Sequence, residues 1–66
     1  MIFAEKLQQL MKDNEVSQSF LAKEIGYTQR AVSKWVNEQA EPTATAIVRC
    51  ATFFGVSTDY LLGLED

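Results

Sequence analysis

One short stretch of the chain carries hydrogen-bonding side chains at the spacing of a single helix face. Counted at 100° per residue from Gln29, these side chains fall within an arc of about 140°. They are Gln29, Arg30, Ser33, Lys34 and Asn37. The opposite side carries Thr28, Ala31, Val32, Trp35 and Val36. Such a helix can pack its apolar side into a core and hold its donors against a polar ligand.

The donors on this face have the chemistry of base recognition. A glutamine pairs bidentately with adenine, and an arginine or lysine pairs with O6 and N7 of guanine. The face offers all three side chains, as Gln29, Arg30 and Lys34. The pattern therefore favours a helix that lies in the major groove of double-stranded DNA.

The net charge of the chain argues in the other direction. It is −3, whereas contacts to phosphate need positive charge. The acidic residues are unevenly placed, however. Residues 1–37 carry five basic and four acidic side chains, and residues 38–66 carry one basic and five acidic ones. The acidic half need not face DNA, and there its charge can simply keep the surface soluble.

Composition excludes several classes of function. The chain has 66 residues, no histidine and one cysteine, Cys50. These numbers leave no Cys/His metal site, no histidine-based catalytic triad and no internal disulfide. We expect no enzyme activity, no metal, no cofactor and no small-molecule site. No apolar run reaches the roughly 20 residues of a membrane span, and no signal peptide is evident, so a cytoplasmic location is expected.

Apolar periodicity predicts an all-α fold in one domain, residues 1–66. The expected helices cover about residues 2–14, 17–25, 28–37, 44–54 and 58–62. Four residues are suited to cap helix N-termini, and they are Ser17, Thr28, Thr43 and Ser57. Gly26 and Gly55 are suited to end helices in the left-handed conformation. Trp35 and Cys50 are expected in the core.

Two segments resemble a known family. SQSFLAKEIGYTQRAVSKW spans residues 17–35 and FFGVSTDYLL spans residues 53–62. Both are similar to the Cro/C1, or Xre-type, helix-turn-helix regulators that include phage repressors. A small residue, a turn glycine and two core residues stand at the motif's spacing: Ala22, Gly26, Val32 and Trp35. The resemblance implies a compact five-helix, lambda-repressor-like DNA-binding domain whose third helix enters the major groove.

The resemblance also assigns roles to individual residues. Gln29 and Arg30 would lie at the groove-facing start of the third helix, with Ser33 and Lys34 one turn further on. Gln18 would hold a phosphate at the N-terminus of the second helix. Positioning on the DNA backbone is expected from Thr28 and Asn37. The function implied is a sequence-specific transcriptional regulator, and repression is favoured over activation.

The sequence departs from the family after the third helix. Relatives often have Trp-Glu-x-Gly followed by a basic residue and a proline. Here Glu38 takes the glycine position, and the loop over residues 38–42 has two acids and no base. This loop predicts weak binding by a monomer and makes Asn37 the best neutral donor there.

A homodimer on a near-palindromic operator would compensate for weak monomer binding. It is expected through Tyr60, Leu61, Leu62 and Leu64, unless these residues simply close the core. The alternative function is a protein-binding module of the same fold, antitoxin-like or docking another regulator, with little DNA affinity of its own.

Overall fold

Five helices make up most of residues 2–65, the part of the chain that the computed structural model describes. They are α1 (Ile2–Asp13), α2 (Gln18–Ile25), α3 (Gln29–Val36), α4 (Ala44–Phe54) and α5 (Thr58–Leu61). This part of the chain contains no strand, so the predicted all-α arrangement is confirmed. None of these helices is both long and apolar enough to cross a membrane.

Side chains that the sequence marks as caps set where four helices begin. Ser17, Thr28, Thr43 and Ser57 each accept a hydrogen bond from the backbone N–H three residues ahead, as predicted. At the other end of α2, Gly26 adopts φ 78°, and its N–H donates to the carbonyl of Ala22. This left-handed conformation costs glycine little. It allows α2 and α3 to be joined by only three residues.

Trp35 of α3 belongs to the core, as expected, with only 6% of its surface exposed. The ring of Phe3, from α1, packs edge-on against it at 6.3 Å between centroids. Tyr27, from the α2–α3 turn, packs against it at 5.2 Å. Leu7, Leu21 and Val32 are fully buried around these rings. The apolar side of α3 is therefore fixed by three parts of the chain at once.

The interior also holds Cys50, the single cysteine. It lies on α4 with no exposed surface, among apolar side chains. Burial raises the pKa of its thiol to about 11. The thiol is therefore protonated near neutral pH, as expected for a small core residue rather than a reactive group.

Helix α5 closes the core against α1 and α4. This packing buries Leu61 completely. The prediction that Leu61 lies on a dimer surface is therefore wrong, because α5 has one turn and its core-facing position is Leu61. Leu62 and Leu64 remain 39% and 73% exposed, and Tyr60 is half-buried. The ammonium group of Lys6 lies 4.5 Å from the centroid of the Tyr60 ring.

Candidate nucleic-acid interface

The long side chains on the polar face of α3 are exposed. Gln29, Arg30 and Lys34 are exposed, and Ser33 is half-buried between them. Within residues 2–65, the side chains of Gln29, Arg30 and Lys34 form no hydrogen bond or ion pair. On the opposite side, α3 buries Val32, Trp35 and Val36. The helix therefore presents long donors on one side and is fixed by its core contacts on the other.

The start of α3 leaves backbone donors available for an anion. The Thr28 hydroxyl oxygen accepts from the N–H of Ala31 at 3.1 Å, and the Thr28 carbonyl accepts from Val32. The N–H groups of Gln29 and Arg30 precede these bonds and have no partner within the helix. The hydroxyl hydrogen of Thr28 also remains able to donate. Together with the helix dipole, these groups favour a phosphate at this end.

The start of α2 repeats this arrangement. Ser17 accepts from the N–H of Phe20 at 3.0 Å, and its carbonyl accepts from Leu21. The N–H groups of Gln18 and Ser19 are left without a partner inside the helix. Gln18 is half-buried as the first residue of α2. Gln18 is predicted to contact a phosphate that approaches the N-terminus of α2.

Asn37 is placed differently from the other predicted residues. Its side-chain nitrogen donates to the carbonyl of Ser33 at 2.9 Å and lies 3.3 Å from the Ser33 hydroxyl oxygen. The amide thus caps the C-terminus of α3. A contact between Asn37 and a phosphate stays a prediction, but its donor already serves the protein.

The turn between α2 and α3 is held by side chains that the sequence analysis did not single out. The guanidinium of Arg49, on α4, donates to the carbonyl of Ile25 at 3.0 Å and lies over the Tyr27 ring at 5.8 Å. The Tyr27 hydroxyl is 3.3 Å from that of Thr43, the N-cap of α4. The sequence does contain one indication of this role for Arg49, because Arg49 is the single charged residue in the α4 sequence.

The far end of α3 is held from α1. The side-chain nitrogen of Gln8 donates to the carbonyl of Val36 at 2.6 Å, across 28 residues of sequence. No sequence pattern pointed to this contact. Gln9, beside it on α1, bonds locally to Asp13 instead.

Acidic side chains follow α3 closely. Glu38 and Glu41 are both exposed in the segment that leads to α4. Glu38 also has φ 58°, a left-handed conformation that is unfavourable for a residue with a Cβ. The described residues contain no group of three or more Cys, Asp or Glu side chains placed to hold a metal ion.

A family model described as helix-turn-helix matches residues 7–61. The match covers both helices of the motif, α2 and α3, and the helices around them. The chain belongs to the Cro/C1-type helix-turn-helix family. Its members are DNA-binding transcriptional regulators. In this family's terms α3 corresponds to the recognition helix.

Two curated helix-turn-helix proteins are similar in sequence. The HTH-type transcriptional activator BcrR of Enterococcus faecalis is 35% identical over 66 residues, which are all of this chain and 32% of that protein. The uncharacterized HTH-type transcriptional regulator YobD of Bacillus subtilis (strain 168) is 31% identical over 65 residues, which are 98% of this chain and 58% of that protein. The chain thus spans about a third and just over half of their lengths.

Two solved structures are similar in fold. The crystal structure of the P22 c2 repressor with synthetic operator 9T matches with a TM-score of 0.89 at 25% identity, over 98% of each chain. The solution structure of the P22 c2 DNA-binding domain matches with a TM-score of 0.87 at 26% identity, over 94% of this chain and 82% of that one. The helix arrangement is therefore that of a phage repressor's DNA-binding domain.

The left-handed Glu38 yields a prediction about stability. Glu38→Gly should raise the free energy of unfolding by up to about 1 kcal/mol relative to Glu38→Ala, because only glycine removes the penalty of a Cβ at positive φ. Both changes delete the same carboxylate, so their difference isolates the backbone. Urea unfolding of the two variants measures it. Equal stability of the two variants would mean that Glu38 is not held at positive φ in solution.

Proposed function

We propose that this domain binds double-stranded DNA at specific sequences, with α3 in the major groove. The observation that carries the proposal is the exposed polar face of α3 on a buried apolar back, with free N–H groups at the starts of α2 and α3. In this arrangement Gln29 and Arg30 contact base edges, and Lys34 contacts a base or a phosphate one turn further on. Ser33 is short enough to let the helix approach the bases closely.

Phosphates on either side of the groove fix the register of the domain. One lies at the start of α2, held by Gln18 and its backbone N–H. Another lies at the start of α3, held by Thr28 and the N–H groups after it. Asn37, at the C-terminus of α3, would lie near DNA backbone phosphates at that end of the helix. Because the loop over residues 38–42 has two acids and no base, we expect modest affinity for one domain on one half-site.

We propose that the bound domain regulates transcription, and that it represses where its site overlaps a promoter, because it then excludes polymerase. Its ligand is DNA, so we place it in the cytoplasm. No step in this function needs a cofactor, a metal or bond-making chemistry.

We propose further that two copies bind a near-palindromic site as a homodimer, with half-sites about one DNA turn apart. An apolar patch at the two ends of the described chain supports this. It consists of Ile2, Leu62 and Leu64, which are 44%, 39% and 73% exposed. Ile2 lies directly against Gly63, so the patch is continuous. Tyr60, which is half-buried, and Leu61, which is fully buried, precede Leu62 in the chain.

Leu64→Glu should weaken the dimer by at least about tenfold, because burying a leucine side chain contributes about 1.5–3 kcal/mol. Sedimentation equilibrium measures the change. Val48→Glu is the matched control. Val48 is also an exposed apolar residue, at 52%, but it lies in the groove between α2 and α4 and is not part of the patch. A wild-type chain that remains monomeric at the highest concentration reached would contradict the proposed dimer.

Selection from a randomised duplex pool tests the proposed function. The wild-type domain should enrich one motif, and binding to that motif should weaken as salt rises. An Arg30→Ala/Lys34→Ala double variant, equally folded, should enrich nothing. Failure of the well-folded wild type to enrich any sequence at low salt would contradict DNA reading. The same fold would then act as a protein-binding module, to which its acidic surface is better suited.

A further inference from the structure

The recognition helix is short, so its orientation must be set from outside. It has eight residues, and its buried side chains Val32, Trp35 and Val36 hold one side of it, while contacts at its two ends can set its tilt. Base recognition depends on the angle at which α3 enters the groove, because hydrogen bonds weaken steeply with misalignment. The side chains that hold the two ends of α3 can therefore affect base recognition without contacting DNA.

Arg49 contacts the turn that precedes α3. It donates to the carbonyl of Ile25, the last residue of α2, and this carbonyl lacks a partner inside the helix. Its guanidinium also lies over the ring of Tyr27, the residue between Gly26 and Thr28. A Cβ on Gly26 would come within 3.1 Å of the Arg49 guanidinium nitrogen, so the side chain lies directly against the turn.

Tyr27 carries this contact on to α3 and α4. Its ring packs against Trp35 of α3 at 5.2 Å between centroids. Its hydroxyl lies 3.3 Å from the Thr43 hydroxyl oxygen, which also accepts the N–H of Ala46 at the start of α4. Arg49 and Thr43 thus hold one aromatic ring against the base of the recognition helix.

Gln8 holds the other end of α3. The carbonyls of Ser33, Lys34 and Trp35 accept from backbone N–H groups just beyond the helix. The carbonyl of Val36 accepts from Gln8 of α1 instead. The end of the helix is therefore bonded to a neighbouring helix as well as to its own continuation.

We propose that Arg49 and Gln8 are positioning residues for DNA recognition, which together fix the orientation of α3. This inference rests on the proposed function and adds two residues that need not touch DNA. Arg49 acts through the α2–α3 turn and Gln8 through the C-terminus of α3. Neither belongs to the polar face of α3.

Two substitutions test the proposal. Arg49→Lys keeps the charge, but its side chain is shorter and cannot lie flat over Tyr27 or present the same donor to Ile25. Gln8→Met keeps the size and removes the donor. Each should lower affinity for the selected duplex by about five- to tenfold, as expected for one misplaced hydrogen-bonded contact. Affinity for a scrambled duplex and the salt dependence should stay at wild-type values.

These readouts separate positioning from other roles. A direct phosphate contact by Arg49 would leave specific and non-specific binding of Arg49→Lys nearly unchanged, because the charge remains. A purely structural role would lower stability but leave the ratio of specific to non-specific affinity at the wild-type value in the folded protein. Gln9→Met is the control on α1, because Gln9 bonds only to Asp13. A ratio within twofold of wild type in both variants overturns the proposal.

A measurement without DNA keeps this test independent of the proposed function. The backbone amide resonances of Gln29 and Arg30 should shift in Arg49→Lys, and that of Asn37 should shift in Gln8→Met. None of them should shift in Gln9→Met. If wild type binds no specific duplex, the proposed function fails, and these shifts alone decide whether the two residues orient α3. Unchanged shifts in both variants reject the inference.

Discussion

Trp35→Ala is expected to remove a large part of the free energy of unfolding of this protein. Removing a buried tryptophan costs about 3–5 kcal/mol, and a domain of this size has a total stability of about 3–10 kcal/mol. Trp35 contacts Phe3 of α1 and Tyr27 of the turn. Its loss therefore opens the core on two sides of α3.

Urea unfolding followed by circular dichroism measures this effect. Phe20→Ala is the matched control, because Phe20 is also aromatic but is 51% exposed and packs edge-on against Phe53 alone among the rings. That control should lose no more than about 1.5 kcal/mol. A Trp35→Ala variant as stable as Phe20→Ala would show that α3 is not anchored through this ring.

Arg30→Ala is expected to reduce affinity for the selected duplex by about 5- to 150-fold, which is the range for one good bidentate contact to a base. The side chain is exposed and makes no hydrogen bond or ion pair inside the described part of the protein, so the stability of the fold should hardly change. Fluorescence anisotropy with a labelled duplex measures the affinity.

Lys6→Ala is the control for charge. It removes one positive charge whose ammonium group lies over Tyr60, outside the polar face of α3. Its effect on specific affinity should stay within about twofold, since a charge away from the polar face of α3 is screened at physiological salt. Equal losses for Arg30→Ala and Lys6→Ala would mean that Arg30 contributes only charge and reads no base.

Local rules were sufficient to predict the elements of this fold. Ser17 and Thr28 cap the two helices of the motif because a hydroxyl oxygen satisfies a free N–H there, which depends on neighbours in sequence alone. Gly26 ends α2 for an equally local reason. The apolar period placed Val32 and Trp35 on the buried side of α3. Each of these predictions is confirmed by the structure.

Predictions that depended on distant contacts were less successful. Leu61 looked like surface because α5 is short, but α1 and α4 cover it. The bond from the Asn37 amide to Ser33 spans only four residues, but it was not predicted either. The contacts of Arg49 and Gln8 join residues 24 and 28 positions apart in sequence. No local sequence pattern predicts which backbone carbonyl a side chain will bond to over such a separation.

The position of Glu38 lies between these cases. The sequence shows an acid where relatives often carry glycine. The structure adds that the backbone there is still left-handed, as a glycine would prefer. The chain thus keeps the turn of the family without the residue that best suits it. The site residues themselves, from Gln18 to Asn37, stay predictions until DNA binding is measured.

The central claim is that individual side chains of α3 read individual bases. The most direct test is to repeat the duplex selection in parallel with wild type, Gln29→Ala and Arg30→Ala. We predict that each variant loses base preference at one or two positions of the motif and keeps it elsewhere, at positions that differ between the two variants. Unchanged motifs from both variants would contradict the claim and would show that DNA, if bound, is not read by this face.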